Sequence, residues 1–418
     1  VLTSGAYLAS FICLCIFPSF DRRTEIEEHA LIAGYAWDTF NGEWAGRLHS
    51  AIKRIESSPG VLQALDREMH TAGLVPHRMN FTTDGGIPSS LLYTVASSRR
   101  GDSREACVLV FATNWTSGSR DTTRASWGVG VGVVLAQFLK TVPWLSKDII
   151  FVFVDSTLPY GAGARAWLQA YFGGSSAVRR GVLRQAAVLD TISRPASVLL
   201  EAEGINGKVP NQDIVNSYMV GARNKRSLAA HHRATWESLR HTFMNGGVHS
   251  QHAPFLELSV PAFTILARKG RNERGTADPV ELAQSLEGLV RSMSNVLQQL
   301  HHSFNFYFFT GRDSHISNGL YLYPVFAMQL PLLSFLMTTP AFRDIRSFLV
   351  GLGAIAAVAV AVGSPAFLLA TNSDLAAWLA TVAPGVNLDA LPPACLRPEP
   401  GGENADRRRR AAASWLTA

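Results

Sequence analysis

Residues 147–172 read KDIIFVFVDSTLPYGAGARAWLQAYF. From Ile149 to Val154 the chain is apolar without alternation, β-branched and aromatic, and only a few residues long, which is the pattern of a strand buried on both faces. After a loop carrying Pro159 and Gly161, the stretch GARAWLQAYF (163–172) reads as a helix. A buried strand followed directly by a helix is the repeating unit of an α/β protein.

The same alternation extends in both directions. SLLYTVAS (90–97) and ACVLVFA (106–112) read as strands around the turn SRRGDSRE, and SWGVGVGVVLAQFLKTV (126–142) reads as a helix despite its glycines. QAAVLD (185–190), SVLLEAE (197–203) and AFTILA (262–267) read as strands, 211–222 and 232–243 as helical, and Pro279 to His302 as a long amphipathic helix. Upstream, GEWAGRLHSAIKRIE (42–56) and GVLQALDREMHTAGL (60–74) form two amphipathic helical patterns joined by a Ser-Ser-Pro-Gly break. The expected fold class is α/β, a mostly parallel mixed sheet flanked by helices, with ligands beyond the carboxyl ends of its strands.

The chain has 418 residues, 47% of them hydrophobic, enough for one large core plus membrane segments. Residues 1–20 carry no charge, and 318–339 and 347–373 contain two more uncharged runs of spanning length. We therefore expect an N-terminal anchor at 1–20, a large domain at 21–317, transmembrane helices at 318–339 and 347–373, and an irregular tail at 374–418. The first run reads as a retained signal anchor rather than a cleaved signal peptide, whose apolar core is shorter. The sequence does not open on Met, so it reads either as a piece of a longer chain or as one whose start is wrongly assigned. The loop PAFRDIR sets Arg343 and Arg346 against one Asp, which places it in the cytosol and the large domain on the lumenal side.

Two Asn-x-Thr triplets, at Asn80 and Asn114, suit a lumenal domain as N-glycosylation sites. Of the cysteines, only Cys107 falls inside the domain, which excludes a disulfide framework there. The net charge of +6 is dispersed over loops and not interleaved with aromatics, so no nucleic-acid partner is expected. No P-loop, dinucleotide fingerprint or nucleophile elbow follows any of the strands.

The stretch GVHSQHAPFLELSVPAF (247–263) brings His249 and His252 together ahead of a strand. A catalytic zinc needs about three protein ligands, a water and a carboxylate base. Near the strand ends, Asp190 and His252 are the usable pair. Read locally, His249 is a loop histidine, His252 a satisfied structural histidine, and Asp190 equally a turn cap.

HAPFLELSVPAFTI (252–265) resembles the last metal-ligand segment of the di-zinc aminopeptidases. Where that family has His-x-Asp this chain has Thr113 and Trp115, and the bridging Asp falls near Ser126. The paired glutamates are absent from 155–162, while AVLDTI keeps Asp190. The resemblance implies a vestigial metal pair, Asp190 and His252, without a general base. No cofactor is expected, with room for weak residual metal binding.

From about Ser4 to Met337 the chain resembles the glycosylphosphatidylinositol (GPI) anchor attachment subunits of GPI transamidase. The likeness lies in EHALIAGYA (28–36), PWLSKDIIFVFV (143–154), GARAWLQAYF, EAEGINGKVPNQDIVN (201–216) and LHHSFNFYFFTGRDSHISNGLYLYP (300–324). It implies a zinc-aminopeptidase-like lumenal domain without peptidase activity, in a multi-pass protein of the endoplasmic reticulum membrane. The implied partners are a caspase-like cysteine-protease subunit, other membrane subunits, the GPI glycolipid and the proprotein's C-terminal signal. Lipid contacts map to Glu28, His29 and Ala30 and to His301 and Ser303, where an imidazole and a hydroxyl can donate to phosphate. An alternative role for His301 is to cap the long helix. EHAL stands where the family has Glu-Asn-Ala, the domain is shortened, and the family continues into further spans. The competing readings are a membrane-anchored zinc aminopeptidase-like hydrolase with an unusual metal site and a purely structural assembly subunit.

Overall fold

The computed structural model describes residues 2–16, 19–23, 26, 31, 39–101, 104–114, 119–158, 161–178, 181–191, 195, 197–203, 208–223, 229–232, 250–268, 278–296, 307–310, 314–317 and a few positions between 319 and 350. The chain divides into two compact units, Leu8–Ala327 and a second made of Val1–Tyr7 with Met328–Ala418. Glu28, His29, Ala30, His249, His301 and Ser303 lie outside the described residues, as do most of 318–339 and 347–373 and all of the tail from 374.

The large unit is built on an eight-stranded sheet with the order β2-β3-β5-β4-β6-β9-β7-β8. The strands are β2 (His77–Thr82), β3 (Pro88–Ala96), β4 (Glu105–Thr113), β5 (Asp148–Asp155), β6 (Val182–Thr191), β7 (Ser197–Glu201), β8 (Ala229–His232) and β9 (Ala262–Arg268). The centre, β5-β4-β6-β9, is parallel, and β2, β3 and the β7-β9 pair add antiparallel neighbours. β3 and β4 are consecutive in the chain, yet β5 lies between them.

The unbroken apolar runs reflect burial on both faces. Cys107, Leu109 and Phe111 of β4 and Ile149, Phe151 and Phe153 of β5 face one apolar cluster; Val108, Val110, Ile150, Val152 and Val154 face the other. The first face is covered by α2 (Glu43–Glu56), α3 (Val61–Thr71), α4 (Ser119–Leu139), α6 (Gln212–Arg223) and α8 (Pro279–Asn295). The second is covered by α5 (Ala162–Gly173), which inserts Trp167, Leu168 and Tyr171, and by the short α7 (Ala253–Glu257).

Helix α4 explains the glycine run. It is wedged between the sheet and α2, and a Cβ at Gly132 would stand 2.6 Å from Phe153 Cε1, while one at Gly130 would stand 2.8 Å from Ile52 Cγ1. The glycines let the helix axis approach both neighbours, at a cost in helix propensity that tertiary packing offsets.

One helical expectation is corrected. The long helix ends at Asn295, because Val296 leaves the helical region at ψ 112 and the Lys147 ammonium takes the carbonyls of Ser294 (3.0 Å) and Val296. A cation on the last carbonyls complements the helix dipole there. His301, whose alternative expected role was to cap this helix, lies outside the described residues. Of the expected helix at 232–243 only His232 is among the described residues; it closes β8, and its ring stacks on Phe309 at 3.6 Å.

A second sheet joins the two ends of the unit. β1 (Arg22–Arg23) pairs with β11 (Ser314–Ser317), which pairs with β10 (Tyr307–Phe309). Helix α1 (Leu2–Ile16) exposes Leu8, Phe11, Ile12 and Ile16. Its 15 residues span about 22 Å. Among the described residues, no helix is long and apolar enough to cross a membrane.

Candidate functional site

β4 is the point where the sheet reverses direction, with β5 on one side and β6 on the other, so the carboxyl ends of these strands form the crevice where α/β proteins bind ligands. Here the described side chains at the ends of β4 and β6 are packed. Thr113 is fully buried, in register with Asp155, and its carbonyl accepts from Ser156 N at 2.8 Å. The methyls of Thr113 and Thr191 lie 2.5 and 2.9 Å from where a Cβ on Gly128 would stand, so α4 rests directly on the strand ends. Ser126, also buried, donates to Glu56 Oε1 at 3.2 Å across to α2.

Asp155 accepts from Thr157 N at 2.9 Å and from its hydroxyl at 2.8 Å, a local turn in which the carboxylate satisfies the chain that follows it. Asp190 is half-buried at the end of β6, in register with Ala112 on one side and Leu266 on the other.

His252 is fully buried at the start of α7. Its Nε2 lies 2.8 Å from the carbonyl of Glu203 and its Nδ1 lies 2.7 Å from the Thr264 hydroxyl. A carbonyl only accepts, so Nε2 carries the proton and donates; Nδ1 then accepts from Thr264. Neither ring nitrogen keeps a free lone pair for a metal. Burial drives the imidazole down to about 4, against smaller opposing effects of the Glu201 charge and the Glu203 carbonyl, so it is neutral at physiological pH. Glu201, in register with Thr264, accepts from Ser250 at 2.6 Å and ties the same turn to β7.

A zinc site does not fit these residues. Among the described residues, no group of three His, Cys, Asp or Glu side chains could hold a metal ion, and the bonds of His252 go to Thr264 and Glu203 rather than toward Asp190. The partners Thr264, Glu203 and Ser250 were not legible as such, because none belongs to a motif and each is reached only through the fold.

A protein-family model described as Gaa1-like, GPI transamidase component, matches residues 89–339. The chain belongs to this Gaa1-like family. Among its relatives, the GPI transamidase component GAA1 of Saccharomyces cerevisiae is 27% identical over 360 residues, covering 79% of this chain and 56% of that one. The GPI transamidase component gaa1 of Schizosaccharomyces pombe is 24% identical over 344 residues, covering 72% and 57%. The Gaa1-like chain thus spans a little over half the length of these curated relatives. Similar solved structures include the LapA aminopeptidase of Legionella pneumophila (10% identity, TM-score 0.43, 66% of this chain and 78% of that one). Another is the glutaminyl cyclase of Porphyromonas gingivalis (13% identity, TM-score 0.41, 60% and 98%).

Proposed function

We propose that this Gaa1-like chain is a noncatalytic subunit of GPI transamidase. It helps hold the GPI glycolipid and the proprotein's C-terminal signal beside a caspase-like cysteine-protease subunit, which performs the transfer. It does so in the endoplasmic reticulum membrane, with the α/β unit in the lumen. Family membership supports the assignment to the complex. The observation that carries the noncatalytic reading is His252, whose two nitrogens are committed to Thr264 and Glu203 in a closed core.

In this reading Glu28, His29, Ala30, His301 and Ser303 contact the lipid. Two ties between their flanking residues support it. Arg22 and Arg23 pair with His315 and Ser314, and Ser292 donates to the carbonyl of Leu31 at 2.7 Å. Residues 24–30 and 297–306 are therefore both bounded by the same pair of anchor points. The apolar side chains that α1 exposes support membrane attachment at the same end of the chain.

The experiment is affinity purification of the full chain from endoplasmic reticulum membranes, with a photoreactive GPI probe. Co-purification of a caspase-like subunit is expected, as is loss of probe crosslinking with assembly intact in the His301→Ala, Ser303→Ala double variant. Unchanged crosslinking with intact assembly would favour a purely structural subunit. Stoichiometric zinc together with chelator-sensitive peptidase turnover would establish the hydrolase reading instead.

A further inference from the structure

The two Asn-x-Thr triplets occupy opposite situations in the fold. Asn80 lies within β2, where His77, Met79 and Phe81 are half-buried and Arg78, Asn80 and Thr82 are exposed. Met79 and Phe81 pack on the second apolar cluster, which turns the Asn80 amide and the Thr82 hydroxyl outward together. β2 is the last strand of the eight, with β3 on one side and no further strand on the other among the described residues. It leads into the exposed turn at Asp84, Gly85, Gly86 and Ile87. Asn80 is exposed, so a large substituent there would project from the sheet surface.

Asn114 follows β4 at the centre of the sheet, half-buried and already engaged with a neighbour. The residue before it, Thr113, is buried against Gly128, and its carbonyl is bonded to Ser156. A glycan there would start on a half-buried side chain directly after the packed Thr113.

We propose that Asn80 carries an N-linked glycan that covers the free edge of the sheet, and that Asn114 stays unmodified. The donor is an oligosaccharide carried on a lipid diphosphate. The Asn80 amide nitrogen bonds to C1 of the sugar, the C1–oxygen bond to the diphosphate breaks, the lipid diphosphate leaves with the electron pair, and the amide gives up one proton. An exposed edge strand presents unpaired N–H and C=O groups that template pairing with another chain. A bulky hydrophilic glycan in the middle of β2 blocks that approach, a use of glycosylation beyond solubility.

The inference rests on the lumenal placement proposed above, and its test separates the two. The full chain, Asn80→Gln and Asn114→Gln are expressed in cells, and sealed microsomes are treated with peptide N-glycosidase after lysis. A single-glycan mobility shift is expected for the parent and Asn114→Gln and none for Asn80→Gln. A shift that survives in Asn80→Gln, or disappears in Asn114→Gln, overturns the assignment. Protease protection in intact microsomes reads location independently. A protected domain with no shift overturns the glycan while leaving the placement standing, and a digested domain overturns the placement. Greater self-association of Asn80→Gln than of the parent, read by sedimentation, is expected from the edge role; equal self-association overturns that role.

Discussion

The carboxylate of Glu287, buried on α8, accepts from the backbone N–H of Phe40 at 2.8 Å. The same carboxylate accepts from Thr39 N at 3.1 Å, from the Thr39 hydroxyl at 2.6 Å and from Arg291 Nη2 at 2.7 Å. Nearby, Gln284 donates to the carbonyl of Phe40 at 3.0 Å. Phe40 then packs edge-on to Phe138 of α4. Helix α8 thereby fixes the chain at residues 39–40, ahead of α2.

Replacing Glu287 by Ala removes the acceptor and leaves the buried Phe40 N–H and the largely buried Arg291 guanidinium without it, while the exposed Thr39 can turn to water. A buried partner left alone in this way costs on the order of 3 kcal/mol. Urea unfolding of the purified chain checks the magnitude. Faster hydrogen exchange at Thr39 and Phe40 is expected to accompany the loss.

Acid sensitivity follows from His252. In the folded chain its imidazole takes a proton only near pH 4, whereas unfolded it does so near 6.5. Between those values the unfolded chain holds more protons, so this contribution is full above pH 6.5 and is lost as pH falls toward 4. A shift of that size corresponds to roughly 3 kcal/mol. Burial lowers His315 as well, which adds in the same direction. Stability of His252→Gln measured from pH 7 to 4 is expected to fall less steeply than that of the parent.

Gly132→Ala tests the wedge at α4. In a solvent-exposed helix this change gains about 1 kcal/mol of propensity. Here the new Cβ would meet Phe153 at 2.6 Å and Phe111 at 3.1 Å, so overpacking of about 1–3 kcal/mol dominates. A lower unfolding midpoint is the expected result.

Lys147→Met tests how the long helix stops. The ammonium is nearly buried, burial draws it below the ordinary lysine range, and it still donates to Ser294 O at 3.0 Å. Removing it frees the last carbonyls of α8 without leaving a hole. Faster amide exchange at Ser294 to Val296 is expected, with little change at Thr39 and Phe40.

Much of the domain is legible in sequence because its strands are buried on both faces, and continuous apolar runs such as 149–154 have few other uses. The strand–helix alternation from 106 to 223 survives in the structure for the same reason. The order of strands is less legible: 90–97 and 106–112 read as neighbours across a short turn, yet β5 separates them, since non-local pairing depends on which faces the helices cover. The tie from Glu287 to residues 39–40 is not legible at all, because nothing local reports that the chain closes over that helix there.

Sequence alone determined the class of fold, the family likeness and the residue types at positions 113, 115 and 126, where Thr, Trp and Ser offer no usual metal ligand, since these depend only on residue type and order. Tertiary structure alone decided the state of His252. Its imidazole is a side chain that could bind metal, but Thr264 and Glu203, distant from it in sequence, take both of its nitrogens in a buried site. A hydrogen-bonding group has the role its neighbours leave it, and those neighbours are assembled only when the sheet closes.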